Sequence, residues 1–127
     1  MRVKSILIIL FIFIMTIFFG FQCGKDRNAP DHLIGVWGTS DPTYADRTFE
    51  ISRNELIFQT GEKTFDTYSI KSIEMEKIPG TEKILYTINY VNKEGLKYKF
   101  SFYYNPAGQG EIRYKNQKEI SWTKEKQ

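Results

Sequence analysis

The chain holds one histidine, His32, and one cysteine, Cys23, and this narrows the chemistry open to it. Nucleophilic catalysis by a Ser-His-Asp or Cys-His set needs a base fixed in a rigid scaffold beside its nucleophile. Cys23 directly follows a hydrophobic segment, and His32 sits where a polar stretch meets the first apolar run. Neither position aims one group at the other. Transition-metal sites recruit several His or Cys ligands, and beyond residue 23 the chain offers only His32. Glu74 and Glu76 share a strand face, and paired carboxylates can hydrolyse glycosides, but these two fall on a solvated strand end. Gly108-Gln109-Gly110 reads as a hairpin loop and not as a phosphate cradle. The expectation is a protein that is not an enzyme and carries neither metal nor cofactor.

Binding chemistry is concentrated in residues 39–47, TSDPTYADR. Asp41-Pro42 starts a turn. Tyr44, Asp46 and Arg47 then offer an aromatic face, an acceptor and a forked donor within four residues, the groups a recognition loop at a barrel mouth would use. The same residues also fit a self-contained turn, with Asp46 and Arg47 paired locally and Tyr44 covering the core. The second arrangement asks less of the loop.

A length of 127 residues allows one domain. Met1-Arg2-Val3-Lys4 is basic, and within residues 6–19 only Thr16 is polar. As a helix this stretch would span roughly 21 Å, short of the roughly 30 Å hydrocarbon core. Residues 1–22 therefore read as a secretory signal, or else as a retained membrane anchor. Both readings place the rest outside the cytoplasm. Without Arg2 and Lys4 the chain has sixteen basic and fifteen acidic residues, interspersed along its length. Nucleic-acid binding needs a clustered basic face, so no nucleic-acid partner is expected. A single cysteine also excludes an internal disulfide, leaving burial and strand pairing to hold the domain together.

Phe21-Gln22-Cys23-Gly24 resembles the lipobox of bacterial lipoproteins, with Gln22 where that family carries a small residue. The resemblance implies that Cys23 is acylated, becomes the first mature residue and anchors the chain to a membrane. Gly24 after the cysteine resembles the class sorted to the outer membrane, where the cell has one. Residues 23–32 are polar and broken by Pro30, and they read as a flexible tether.

Residues 33–127 form the folded domain, and its dominant pattern has period two. Phe49 and Ile51 alternate with Thr48 and Glu50; Ile84, Tyr86, Ile88 and Tyr90 alternate with Leu85, Thr87 and Asn89; Tyr98, Phe100, Phe102 and Tyr104 alternate with Lys97, Lys99, Ser101 and Tyr103. Such alternation marks half-buried strands. Turn sequences such as Thr60-Gly61-Glu62-Lys63, Asn92-Lys93-Glu94-Gly95 and Asn105-Pro106-Ala107-Gly108 separate the runs and force antiparallel neighbours. The pattern predicts eight strands near 33–40, 47–53, 55–60, 64–78, 82–92, 96–105, 110–115 and 118–124. In the fourth, the apolar phase slips between Ile70 and Ile73, which predicts a bulge near Lys71-Ser72. The fold class is all-β, an antiparallel meander either closed into a barrel or left as an open, strongly twisted sheet.

Gly35-Val36-Trp37 on the first strand resembles the G-x-W signature of lipocalins. The resemblance implies a closed barrel in which Gly35 permits close backbone approach and Trp37 plugs one end. A basic residue from the last strand, Arg113 or Lys124, would lie over that tryptophan, and Trp122 would come near it by closure. Two functions fit this architecture. One is a membrane-tethered module that binds a protein or envelope component through its surface and loops. The other is a carrier of a small apolar ligand inside the barrel. A filled or hollow lumen discriminates them.

Overall fold

The computed structural model describes residues 23–126. The expected signal or anchor, residues 1–22, and the Cys23 side chain lie outside the described residues. The strands are β1 (Cys23–Asp26), β2 (Gly35–Gly38), β3 (Thr48–Ile51), β4 (Glu55–Gln59), β5 (Phe65–Lys77), β6 (Ile84–Val91), β7 (Lys97–Asn105), β8 (Glu111–Tyr114) and β9 (Gln117–Lys124). Strands β2 to β9 are the eight read from the alternation. They pair in sequence, each antiparallel to the next, and β9 returns to β2 through Trp37↔Lys124 and Gly38↔Thr123. The sheet is a closed barrel.

The phase slip is a register shift between Ile70 and Ser72 opposite β6. Ile70 and Ile73 are consequently both buried while Lys71 points to solvent. A second irregularity lies between β8 and β9, where Ile112↔Trp122 is followed by Tyr114↔Gln117. Arg113 bridges this widened ladder. Its Nη1 donates to the Lys118 carbonyl at 2.6 Å, and its Nε donates to Glu111 Oε1 at 2.6 Å. Ser121 Oγ donates to the other Glu111 oxygen at 2.7 Å.

The backbone of residues 23–32, expected to be a flexible tether, is instead packed onto the barrel. Cys23–Asp26 runs antiparallel to β5, from Cys23↔Glu76 to Asp26↔Ile73. β5 has thirteen residues and β4 only five, so β4 covers Phe65 to Ser69 and leaves the rest of that edge unpaired. Unpaired strand edges recruit partners, and β1 occupies this one. Ala29 is buried, and its N–H donates to the Arg53 carbonyl at 2.8 Å. A short 3-10 helix, Asp31–Leu33, then drops Leu33 into the core.

One end of the barrel is closed by this helix together with the turns at 52–54, 78–83 and 106–110. Trp37 is fully buried there, and its Nε1 donates to the Leu33 carbonyl at 2.9 Å. The Lys124 ammonium lies 5.7 Å from the Trp37 ring centre. Of the two basic residues proposed for that position, Lys124 takes it and Arg113 belongs to the outer network.

The lumen is filled by rings. Phe49, only 1% exposed, has the rings of Trp37, Phe58, Phe100, Tyr114 and Trp122 around it, with centroids 5.3 to 6.4 Å away. Tilted and edge-on contacts dominate this set, the arrangement that the ring quadrupole favours.

Candidate binding face at the barrel mouth

The opposite end of the barrel carries loop 39–47 and the turns at 60–64, 92–96 and 115–116, and here the packing opens. Phe58, Phe100 and Tyr114 reach the surface as a half-buried wall. Between them lies a cleft of about 630 Å³ whose border carries Lys99, Ser101 and Lys115. Beside it Tyr90 stacks on Tyr98 at 5.4 Å, with Tyr68 edge-on to both.

The strongly exposed large apolar side chains among the described residues are Phe65 (55%), Leu96 (56%) and Tyr98 (41%). All three border this mouth, Phe65 at the β4–β5 turn and Leu96 and Tyr98 at the β6–β7 turn. Single exposed apolar residues are ordinary, whereas a group around one opening marks an interaction site.

Burial also acts on the tyrosine hydroxyls of this wall. It raises the pKa of Tyr114, with nearby Tyr44 adding to the effect. Tyr90 is raised by burial and by the adjacent Tyr68 and Tyr98. These hydroxyls are therefore neutral donors and acceptors at physiological pH. The mouth offers aromatic faces and lysine ammonium groups, with the Asp66 and Glu94 carboxylates beside Phe65.

The loop singled out in the sequence has a structural job. Tyr44 OH accepts a hydrogen bond from Gln117 Nε2 at 3.2 Å, and its ring packs 6.3 Å from Trp122. The β2–β9 ladder is two residue pairs long, so the β9 residues before Thr123 have no β2 partner. Tyr44 covers that gap. Asp46 and Arg47 are exposed, and no side-chain hydrogen bond or ion pair joins them among the described residues, so the expected local pairing is absent. Tyr44, Asp46 and Arg47 do not converge on a shared point.

The mouth residues Phe58, Phe65, Leu96, Tyr98, Phe100 and Tyr114 were not marked as a site by the sequence. Two of them left a signal there. Phe65 and Leu96 are apolar residues set directly against turn sequences, where polar ones usually stand.

His32 lies at the far, closed end, sharing a 2.8 Å hydrogen bond with Tyr86 OH and packing 4.8 Å from the Tyr104 ring. Burial and the nearby Lys124 charge lower its pKa. It clasps the 3-10 helix to β6. Gly35 and Trp37 are at this same end, and Trp122 lies in the core between the two ends. Among the described residues no group of three or more His, Cys, Asp or Glu side chains is placed to hold a metal ion.

Compared with family models, with curated proteins and with solved structures, the chain finds no match.

Proposed function

We propose that this chain is an exported, membrane-tethered β module that binds a protein or other envelope component through the mouth of its barrel. The basic start, the apolar residues 6–19 and Cys23 at their end support export and lipid anchoring. The observation that carries the binding role is the grouping of Phe65, Leu96 and Tyr98 around one opening, beside the aromatic cleft. The rings packed around Phe49 in the interior favour this reading over a carrier of an apolar ligand.

Photo-cross-linking in cells tests this reading. A benzophenone side chain at position 65 or 96 is expected to capture one discrete envelope species, while the same group at the exposed Glu82 position of the closed end captures none. Equal labelling from all three positions would overturn the proposed face. An apolar ligand co-purifying at one equivalent would restore the carrier.

A further inference from the structure

The mouth owes its opening to a mismatch of strand lengths. β7 has nine residues and β8 four. β8 pairs with β7 only from Phe102↔Tyr114 to Asn105↔Glu111, whereas β6 covers β7 along its whole length. The half of β7 nearest the mouth therefore has a strand on one side only.

The direction of its free groups follows from one hydrogen bond. Lys115 N–H donates to the Ser101 carbonyl at 3.1 Å, so the backbone groups of Ser101 face the β8 side. Alternate residues of a strand direct their backbone groups to the same side. Lys99 and Lys97 therefore turn both N–H and C=O to the side where no described strand lies. Two consecutive donor–acceptor pairs stand open at this edge. Natural sheets close such edges or blunt them.

We propose that this edge receives an extended peptide segment of a partner protein, which pairs with Lys97 and Lys99 as an added strand. The inference rests on the mouth being the binding face and names the form of what binds there. Strand addition draws affinity from backbone hydrogen bonds and specificity from alternate side chains. The incoming side chains that point inward meet the cleft walled by Phe58, Phe100 and Tyr114, which calls for apolar residues. Those that point outward lie beside the Lys97 and Lys99 side chains, with Lys115 at the end of the run, which calls for acidic ones. The occupant is a segment alternating apolar and acidic residues. The β8–β9 turn stops it at Lys115.

A blocked peptide of about eight alternating valine and glutamate residues, roughly 27 Å when extended, tests the inference on the full-length chain in detergent micelles. Binding is expected to slow amide exchange at Lys97 and Lys99 and to weaken with added salt. The same peptide with lysine for glutamate should bind at least about tenfold more weakly. Lys99→Pro removes one free N–H and no barrel hydrogen bond, a position where a strand tolerates proline, and should lower affinity at least about tenfold. Lys99→Ala should keep the amide protection. Methylating the peptide nitrogens on one edge repeats the test without altering the protein, and should abolish binding for one of the two edges.

Unchanged exchange at Lys97 and Lys99 would overturn the proposal. So would equal binding by both methylated peptides, or copies of the chain cross-linked through this edge and not displaced by the peptide. If cellular cross-links from positions 65 and 96 persist in Lys99→Pro, strand addition falls and the binding face stands. If they are absent from the unaltered chain, the binding face falls.

Discussion

Lys124 and Trp37 face each other across the seam that closes the barrel, as partners in the β2–β9 ladder with the ammonium 5.7 Å from the ring centre. The lysine stem lies across Gly35, where a Cβ would stand 3.1 Å from Cε and 3.2 Å from Cδ. One long side chain thus joins the glycine and the tryptophan of Gly35-Val36-Trp37.

Gly35→Ala should therefore be costly for two reasons. The backbone φ at Gly35 is +148°, a region that L side chains rarely adopt, and the new methyl group presses on Lys124. A loss of about 1–3 kcal/mol is expected. Lys124→Met keeps most of the stem and gives up the cation–π contact, so it should cost less, about 0.5–1 kcal/mol. Urea unfolding of the two variants checks the order. Equal costs would show that the stem packing on Gly35 is unimportant.

The two tryptophans should respond differently to loss of the indole N–H. Trp37 Nε1 is bonded to the Leu33 carbonyl, whereas Trp122 Nε1 is buried without a partner. An unmatched buried donor costs about 1–3 kcal/mol, and a made hydrogen bond contributes about 1 kcal/mol. Trp37→Phe should thus destabilise by at least about 1 kcal/mol more than Trp122→Phe. Matched thermal unfolding curves would refute this if the two variants coincide.

Stability should fall at both ends of the pH range. Hydrogen bonds from Arg113 and Ser121 lower the Glu111 pKa from its ordinary 4.5. The folded state then binds protons less readily than the unfolded one, and this contribution disappears as pH falls below about 4.5. Burial and Lys124 lower His32 from 6.5, which adds a loss of the same sign beginning near neutrality. In alkali the sense reverses. Burial, with Tyr104 adding to it, raises Tyr86 from 10.0 to about 12, so its contribution is present below pH 10 and lost as pH rises through 12. Urea midpoints measured against pH should show the acid limb flattened by Glu111→Gln and the alkaline limb flattened by Tyr86→Phe.

Removing residues 1–30 should weaken the domain relative to removing residues 1–22. The longer cut takes away β1 and the buried Ala29 with its bond to Arg53. A loss above about 1 kcal/mol is expected, large for what would otherwise be an exposed segment. Equal midpoints would mean that these contacts add nothing.

Cys23→Ser tests the anchor. If Cys23 carries lipid, the serine chain should leave the membrane fraction or accumulate unprocessed. A serine chain that is cleaved and still fractionates with membranes would remove the lipoprotein reading.

Much of the barrel was legible because period two needs no knowledge of neighbours. The alternation at Tyr98, Phe100, Phe102 and Tyr104 and the phase slip at Lys71 each report a local face, and both are realised. What the sequence could not show is how far adjacent strands overlap. β1 was missed because Gly24, Lys25 and Asp26 carry no apolar alternation, and their pairing depends on an edge of β5 left open by the shortness of β4. The mouth was missed for the same reason, since it exists only where nine residues of β7 meet four of β8. Tyr44 looked like a recognition residue because the seam it covers joins strands more than eighty positions apart, a distance no local pattern reports.

If residue 23 is the point of attachment proposed above, the first described strand also fixes how the molecule is held out from it. Cys23 lies opposite Glu76, near the closed end of β5, and Phe65 stands at the other end of the same strand. About 35 Å of strand separates these levels. β1 is paired to the sheet along its four residues, so it cannot act as a slack leash. A barrel fastened through residue 23 keeps its closed end toward the point of attachment and its aromatic mouth at a set standoff. Reach is then built into the sheet, and lengthening it would require residues inserted directly after Cys23.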